Sequence, residues 1–131
     1  MTEKIAGVFS LAIAAYFIVS GVSALMNVPA KLERIGLRAL NEDGQAAFII
    51  IYAGLMIGIG ISALAIQLLS KAPLYPLTLL TIMMSSILAF RVYAGIRAGG
   101  FSQAQIVFTG VEIGEVAVGI VLLYLLLAAK R

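Results

Sequence analysis

Arg91, Glu112 and Glu115 are the residues of this chain whose types and placing can do chemistry. Each lies inside a long apolar run. A charge at the centre of a bilayer costs at least about 2.5–3.5 kcal/mol on insertion scales, so each is expected to face protein and find a partner. One guanidinium and one carboxylate at the same level form an ion pair. A second carboxylate beside them leaves a net negative charge, which a poor dielectric disfavours. One glutamate is therefore expected to take up a proton or to attract a cation or cationic ligand. That chemistry is proton coupling, ion transport or ligand binding. The plainer reading is an Arg–Glu pair that fixes helix register, with the second glutamate protonated or turned toward the interface.

The spacing allows the pair. Glu112 and Glu115 share one helix face at i, i+3 spacing, and Gln105 and Thr109 extend that face toward Gly99-Gly100. Arg91 lies eight residues before Gly99 and Glu112 thirteen after it. At ~1.5 Å per residue both stand on the order of 10–18 Å from a turn at those glycines. Tyr52, about two helical turns into the preceding apolar run on the same side, can add a hydroxyl. The expected constellation is Arg91, Glu112, Glu115, Thr109 and Tyr52.

Other chemistry is poorly supplied. The chain has no Cys, His or Trp, so no ordinary zinc, copper or iron–sulfur site is expected and no cofactor is assigned. Haem would have to rely on Met or Tyr alone. No nucleophile–base pair, metal motif or phosphate loop is present. The net charge of +3 is small and scattered, which gives no footprint for nucleic acid. Basic residues beside apolar helices meet anionic lipid instead.

The elements that must position these residues follow from composition. Hydrophobic residues make up 63% of the 131 and charged ones 11%, against about a quarter charged in soluble domains. Mean hydropathy is +1.12. No charge occurs from Ile5 to Ala30, from Gly44 to Ser70 or from Ala72 to Phe90, and only Glu112 and Glu115 interrupt Ala98 to Ala129. Each run is near or above the ~20 residues needed to cross the hydrocarbon core. The reading is all-α: one integral membrane domain over residues 1–131, a four-helix bundle with spans at about 5–26, 45–69, 76–97 and 103–128. Barrel strands would alternate polar and apolar residues, and these runs do not. The first run is far longer than the ~7–15 apolar residues of a signal peptide and reads as a retained anchor.

The first two spans are joined by the one long polar connection. Asn27 can cap, and Pro29 can occupy the first turn of, a short helix running to about Leu40. Lys31, Arg34 and Arg38 follow three-and-four spacing, so this helix is expected to be amphipathic and to lie in the headgroup plane with a basic face. Two readings stay open for it: a surface tie between spans, or a partner-docking or lipid-gating element. The other connections are tight, at Ser70 to Pro73 and at Gly99 to Ser102, which sets the last three spans side by side and antiparallel. Both termini then share one side, with Lys4, Lys71, Lys130 and Arg131; the other carries Lys31, Arg34, Arg38 and Arg97. The count is balanced and does not decide orientation. The expectation is cytoplasmic termini in a bacterial inner (cytoplasmic) membrane.

Lipid supplies no hydrophobic push between helices, so small residues mark where they meet. Gly54, Gly58 and Ser62 form a four-residue stripe in the second span; Gly95 with Gly99, and Gly110 with Gly114, repeat the spacing. These are expected to pack inside the bundle or, on a second face, against a neighbouring copy, giving a homo-oligomer or a larger membrane complex.

A family resemblance rests on the same residues. Four spans in this length, Arg91 late in the third, Gly99 eight later and Glu112 early in the fourth resemble a family of small bacterial membrane proteins defined as a domain of unknown function. Tyr52-Ala53-Gly54, continuing to Gly58 and Gly60, resembles its glycine-rich second helix. The chain departs from that pattern at Gln45-Ala46-Ala47-Phe48, where the family has a charge, and at Ala89-Phe90, where it has small residues. The resemblance implies a four-helix membrane fold and no activity.

Three functions of different class stay open. A non-catalytic accessory subunit or self-associating bundle explains the glycine stripes and minimal loops. A small transporter or channel explains the buried charges; small multidrug transporters are similar in size and span number, but carry their intramembrane glutamate in the first helix. A lipid- or quinone-binding protein or enzyme would use a glutamate as general acid.

Overall fold

The computed structural model describes residues 1–129; Lys130 and Arg131, two of the basic residues assigned to the termini, lie outside them. The described residues form helices and no strand. Helix α1 runs from Thr2 to Met26 and α2 from Val28 to Arg34. Helix α3 extends from Glu42 to Ser70, α4 from Leu74 to Arg97 and α5 from Gln103 to Ala128. Four of these, α1, α3, α4 and α5, are long and apolar enough to cross a membrane.

The caps explain the boundaries. Asn27 closes α1 and its side chain accepts from the Ala30 amide at 3.1 Å, with Pro29 in the first turn of α2, where its missing N–H costs nothing. Asn41 accepts from the Gly44 amide at 2.9 Å, so α3 starts at Glu42, three residues earlier than expected. Pro76 sits within the first turn of α4, which begins two residues earlier than expected. Ser102 opens α5 by accepting from Gln105 at 3.3 Å.

The connection after α1 differs from the expected helix reaching Leu40. At Gly36 φ is +76°, the Leu37 amide donates back to Leu32 O at 2.9 Å and Gly36 to Glu33 O at 3.0 Å. This left-handed glycine stop ends α2 at Arg34. Arg38 therefore stands beyond the helix, and Lys31, Arg34 and Arg38 do not share one helical face. Lys31 instead turns back to α1, donating to Ser23 Oγ at 2.9 Å.

Helix α1 is the middle of the bundle. It packs on α3, α4 and α5, while α4 packs on both α3 and α5, so α1 and α4 form the short diagonal of a four-helix arrangement. The interior is layered. Ala6, Leu77, Leu122 and Leu126 form the layer near the N-terminus. Ile13, Ala14, Phe17, Ala63, Leu80 and Met84 form the middle one. Ala24, Leu32, Phe48 and Ala53 close the other end and hold α2 against the bundle.

Glycines decide the tightest approaches. A Cβ on Gly21 would lie 2.9 Å from Ala53 O and 2.6 Å from Ile57 Cγ1; one on Gly60 would lie 2.7 Å from Ala14 O and 2.5 Å from Ile18 Cγ1. A Cβ on Gly119 of α5 would meet Thr81 Oγ1 of α4 at 2.5 Å. The outward face of the four long helices is apolar, with Val8, Val19, Leu68, Leu69, Ile82 and Phe90 all exposed.

One local irregularity lies in α3. Residues Ile49–Gly54 take the wider π-helical turn before the α-helix resumes at Leu55. It sits where α3 meets the upper part of α1, and its buried residue is Ala53, whose carbonyl faces Gly21.

Candidate functional site

The turn between α4 and α5 sets the register of the charged residues. Gly99 takes φ +75°, the Gly100 amide donates to Gly95 O at 2.9 Å and Gly99 to Ile96 O at 3.2 Å. Phe101 then folds its ring onto Gly95, where any Cβ would collide with it. Gly95 and Gly99 thus build the turn itself. The chain reverses within a few residues, and α5 runs back along α4 with a fixed offset.

That offset joins Arg91 to Glu112. Arg91 Nε donates to Glu112 Oε2 at 2.6 Å and Nη2 to Oε1 at 2.5 Å, a side-on bidentate pair. Nη1 donates to Gln105 Oε1, and the guanidinium carbon lies 5.7 Å from the Phe108 ring centroid, within cation–π range. Glu112 is only 8% exposed. An arginine side chain on a helix leans toward the helix N-terminus, so Arg91 reaches away from the turn and into the bundle. Every nitrogen of its guanidinium has an acceptor, and both oxygens of Glu112 have a donor.

Glu115 is placed differently. It shares the face of Glu112 one turn deeper, yet its Oε2 is buried without a hydrogen-bond partner among the described residues. Arg91 is already matched by Glu112, so the carboxyl of Glu115 has no ion-pair partner among the described residues.

The remaining expected members make no hydrogen bond to the pair among the described residues. Thr109 Oγ1 donates to Gln105 O of its own helix at 2.7 Å and does not enter the pair. Tyr52 stacks on Phe48, with centroids 4.8 Å apart and planes at 23°, and no hydrogen bond joins it to Arg91 or Glu112 among the described residues. Phe108 and Phe101 were not anticipated. The signal for Phe108 was its position one turn before Glu112 on the same face; for Phe101, its place directly after two glycines.

Gly54, Gly58 and Ser62 lie on the exposed side of α3, and Gly110 and Gly114 on the exposed side of α5. No neighbouring helix approaches the four glycines: a Cβ at Gly58, Gly110 or Gly114 would meet open space, and one at Gly54 only its own helix. Packing within the bundle therefore does not involve them. Helix α3 presents Gly60 and Ala63 inward instead, and α5 presents Gly119.

Two open grooves flank this end of the molecule. One, about 580 Å³, runs along the outside of α4 between Met83, Ile87, Phe90, Arg91 and Phe101. The other, about 430 Å³, lies between Leu37, Arg38, Asn41, Phe48 and Tyr52. Among the described residues no group of three acidic or other metal-ligating side chains converges. The site can therefore lock two helices through a neutral pair and hold one further carboxyl in the interior. Comparison with protein-family models, curated proteins and solved structures returns no match.

Proposed function

We propose that this chain is an integral protein of a bacterial cytoplasmic membrane, with its termini in the cytoplasm, and that it acts as a non-catalytic bundle assembling in the bilayer plane. The reading takes in the likeness to the small four-helix membrane family of unknown function. Its apolar belt suits lipid on every side. The observation that carries assembly is the outward placing of Gly54, Gly58 and Ser62 on α3 and of Gly110 and Gly114 on α5. Small residues at four-residue spacing let a second helix approach closely in lipid. The occupant of these faces is another copy of the chain or, for an accessory subunit, a helix of a larger complex.

Native mass spectrometry from mild detergent tests this. The wild-type chain is expected at a multiple of 13.8 kDa or bound to a larger partner. Gly58→Leu with Gly114→Leu is expected to return it to the monomer while its helix content is unchanged. A wild-type chain that is strictly monomeric and without a co-purifying partner overturns the reading.

A second reading, a small transporter or channel, is favoured by one observation: Glu115 keeps a buried carboxyl oxygen without a hydrogen-bond partner among the described residues. An intramembrane acid without a partner is the usual mark of an ion or proton pathway.

A further inference from the structure

A Ser or Thr hydroxyl in a helix has a ready local partner, the carbonyl one turn back, and four here use it. Ser70 donates to Ile66 O, Thr78 to Leu74 O, Ser85 to Thr81 O and Thr109 to Gln105 O, all at 2.6–2.7 Å. Ser10 and Thr81 do not. Their oxygens are buried and have no hydrogen-bond partner among the described residues, the residues being 2% and 7% exposed. Glu115 Oε2 and Gln67 Oε1 are buried and unpartnered as well. A buried polar atom left without a hydrogen bond is destabilising, so four such atoms in one bundle call for a reason.

Their distribution supplies one. The four come one each from the four long helices: Ser10 from α1, Gln67 from α3, Thr81 from α4 and Glu115 from α5. The packing layers place them in order along the bundle axis. Thr81 Oγ1 lies against Gly119, and Glu115 is one turn from Gly119 on the same face of α5. On α1, Ser10 falls between Ala6, which packs with Leu77 and Leu122, and Ala14, which packs with Leu80 and Met84. On α4, Thr81 falls between Leu77 of the first layer and Met84 of the second, which sets it near the level of Ser10. Gln67 reaches the next position toward the N-terminal end, its Nε2 being 3.6 Å from where a Cβ of Gly7 would sit. At ~1.5 Å rise per residue, the four groups span on the order of 10 Å of the bundle interior.

We propose that these four residues line a proton path through the interior, entering or leaving at Glu115 and passing Thr81 and Ser10 to Gln67. This rests on the transport reading of the protein. The donor set suits a proton better than a metal cation. With intervening water a hydroxyl can accept a proton on its oxygen and release its own on the other side, while the Gln67 carboxamide oxygen accepts from and orients the water at the end of the chain. A desolvated cation needs several oxygens converging at one level, and here they are strung along the axis. Glu115 is the one titratable member. Its carboxylate takes a proton to become the acid and returns it to the chain of hydroxyls and water, with no change of charge at the neutral Arg91–Glu112 pair beside it. Water in such a seam finds the two or more polar partners it needs.

The test uses the full chain in liposomes holding a pH-sensitive dye, with a potassium diffusion potential driving protons. The wild type is expected to acidify the lumen about tenfold faster than protein-free vesicles, and Glu115→Gln to remove that excess. Ser10→Ala with Thr81→Val is expected to lower it several-fold, while Thr78→Val, whose hydroxyl serves its own helix, leaves it unchanged. Should Glu115→Gln fail to fold, the Ser10/Thr81 double variant decides alone, since losing two unpartnered hydroxyls does not harm packing. No wild-type flux defeats the transport reading and the path with it. Flux lost in Glu115→Gln but intact in the double variant defeats the path and leaves transport standing. A flux carried by sodium or potassium in place of protons overturns the proposal.

Discussion

Where α1 meets α3, glycines bring a carbonyl within reach of the neighbouring helix; where α4 meets α5, an arginine crosses to a glutamate. The first contact is made by Gly21 against Ala53 and Gly60 against Ala14, with no polar side chain between them. The second has a fully hydrogen-bonded bidentate pair at one end and a single glycine contact, Gly119 on Thr81, further in. Both hold apolar helices side by side, a task for which a bilayer would supply no hydrophobic push. Close packing depends on shape, tolerates no added methyl and is insensitive to charge. An ion pair fixes register and orientation, but makes each partner a liability without the other.

The sharpest way to break the comparison is to remove one partner of the pair. Glu112→Ala leaves the Arg91 guanidinium in the interior with only Gln105 as acceptor, and such a half-broken buried pair costs about 3–5 kcal/mol. Arg91→Leu with Glu112→Leu removes both charges and is expected to recover most or all of that loss. Reversible unfolding in mixed detergent micelles reads both. A double variant as unstable as Glu112→Ala would mean that the pair contributes net stability beyond cancelling its own charges.

The next effect belongs to the glycine contact. Gly60→Ala forces a methyl into Ala14 O and Ile18, and overpacking of this kind costs about 1–3 kcal/mol. Gly58→Ala, two residues away and facing open space, is expected to stay within about 0.5 kcal/mol in the same unfolding measurement. Equal losses at the two positions would show that the close approach of α1 and α3 is not what the glycine serves.

This contrast also marks what could be read from the residues alone. The four long helices were legible because charge is almost confined to their ends, and the Arg91–Glu112 pair because a charge in an apolar run must find a partner and the hairpin leaves it few. Which glycines pack was not legible. In a soluble helix the polar face shows which side is inside, but in these helices both sides are apolar, so the spacing Gly54, Gly58, Ser62 says that a small face exists and not where it looks. Gly21 and Gly60, each without a repeat at four-residue spacing that also packs, do the contact between α1 and α3. The early end of α2 is legible in Gly36, which stands just after the last helical turn, whereas the basic spacing of Lys31, Arg34 and Arg38 points to a helix reaching Leu40. Nothing in the residue pattern of Ile49–Gly54 announces its π turn.

The smallest effects lie in the two turns that flank α4, and they should differ in sign. Both need a residue in the left-handed region: Gly99 at φ +75° after α4, and Lys71 at φ +52° after α3. A side chain there costs roughly 1–2 kcal/mol, which glycine avoids at the expense of more freedom in the unfolded chain. Gly99→Ala is therefore expected to destabilise by about 1 kcal/mol and to loosen the hairpin that aligns Arg91 with Glu112. Lys71→Gly is expected to stabilise by about 0.5–1 kcal/mol, the relief of strain less the added chain entropy. Thermal unfolding of the two variants in one detergent checks the signs. A Lys71→Gly variant less stable than the wild type would mean that Lys71 holds its position through its side chain, and that the turn between α3 and α4 is fixed from outside the bundle where the one between α4 and α5 is fixed from within.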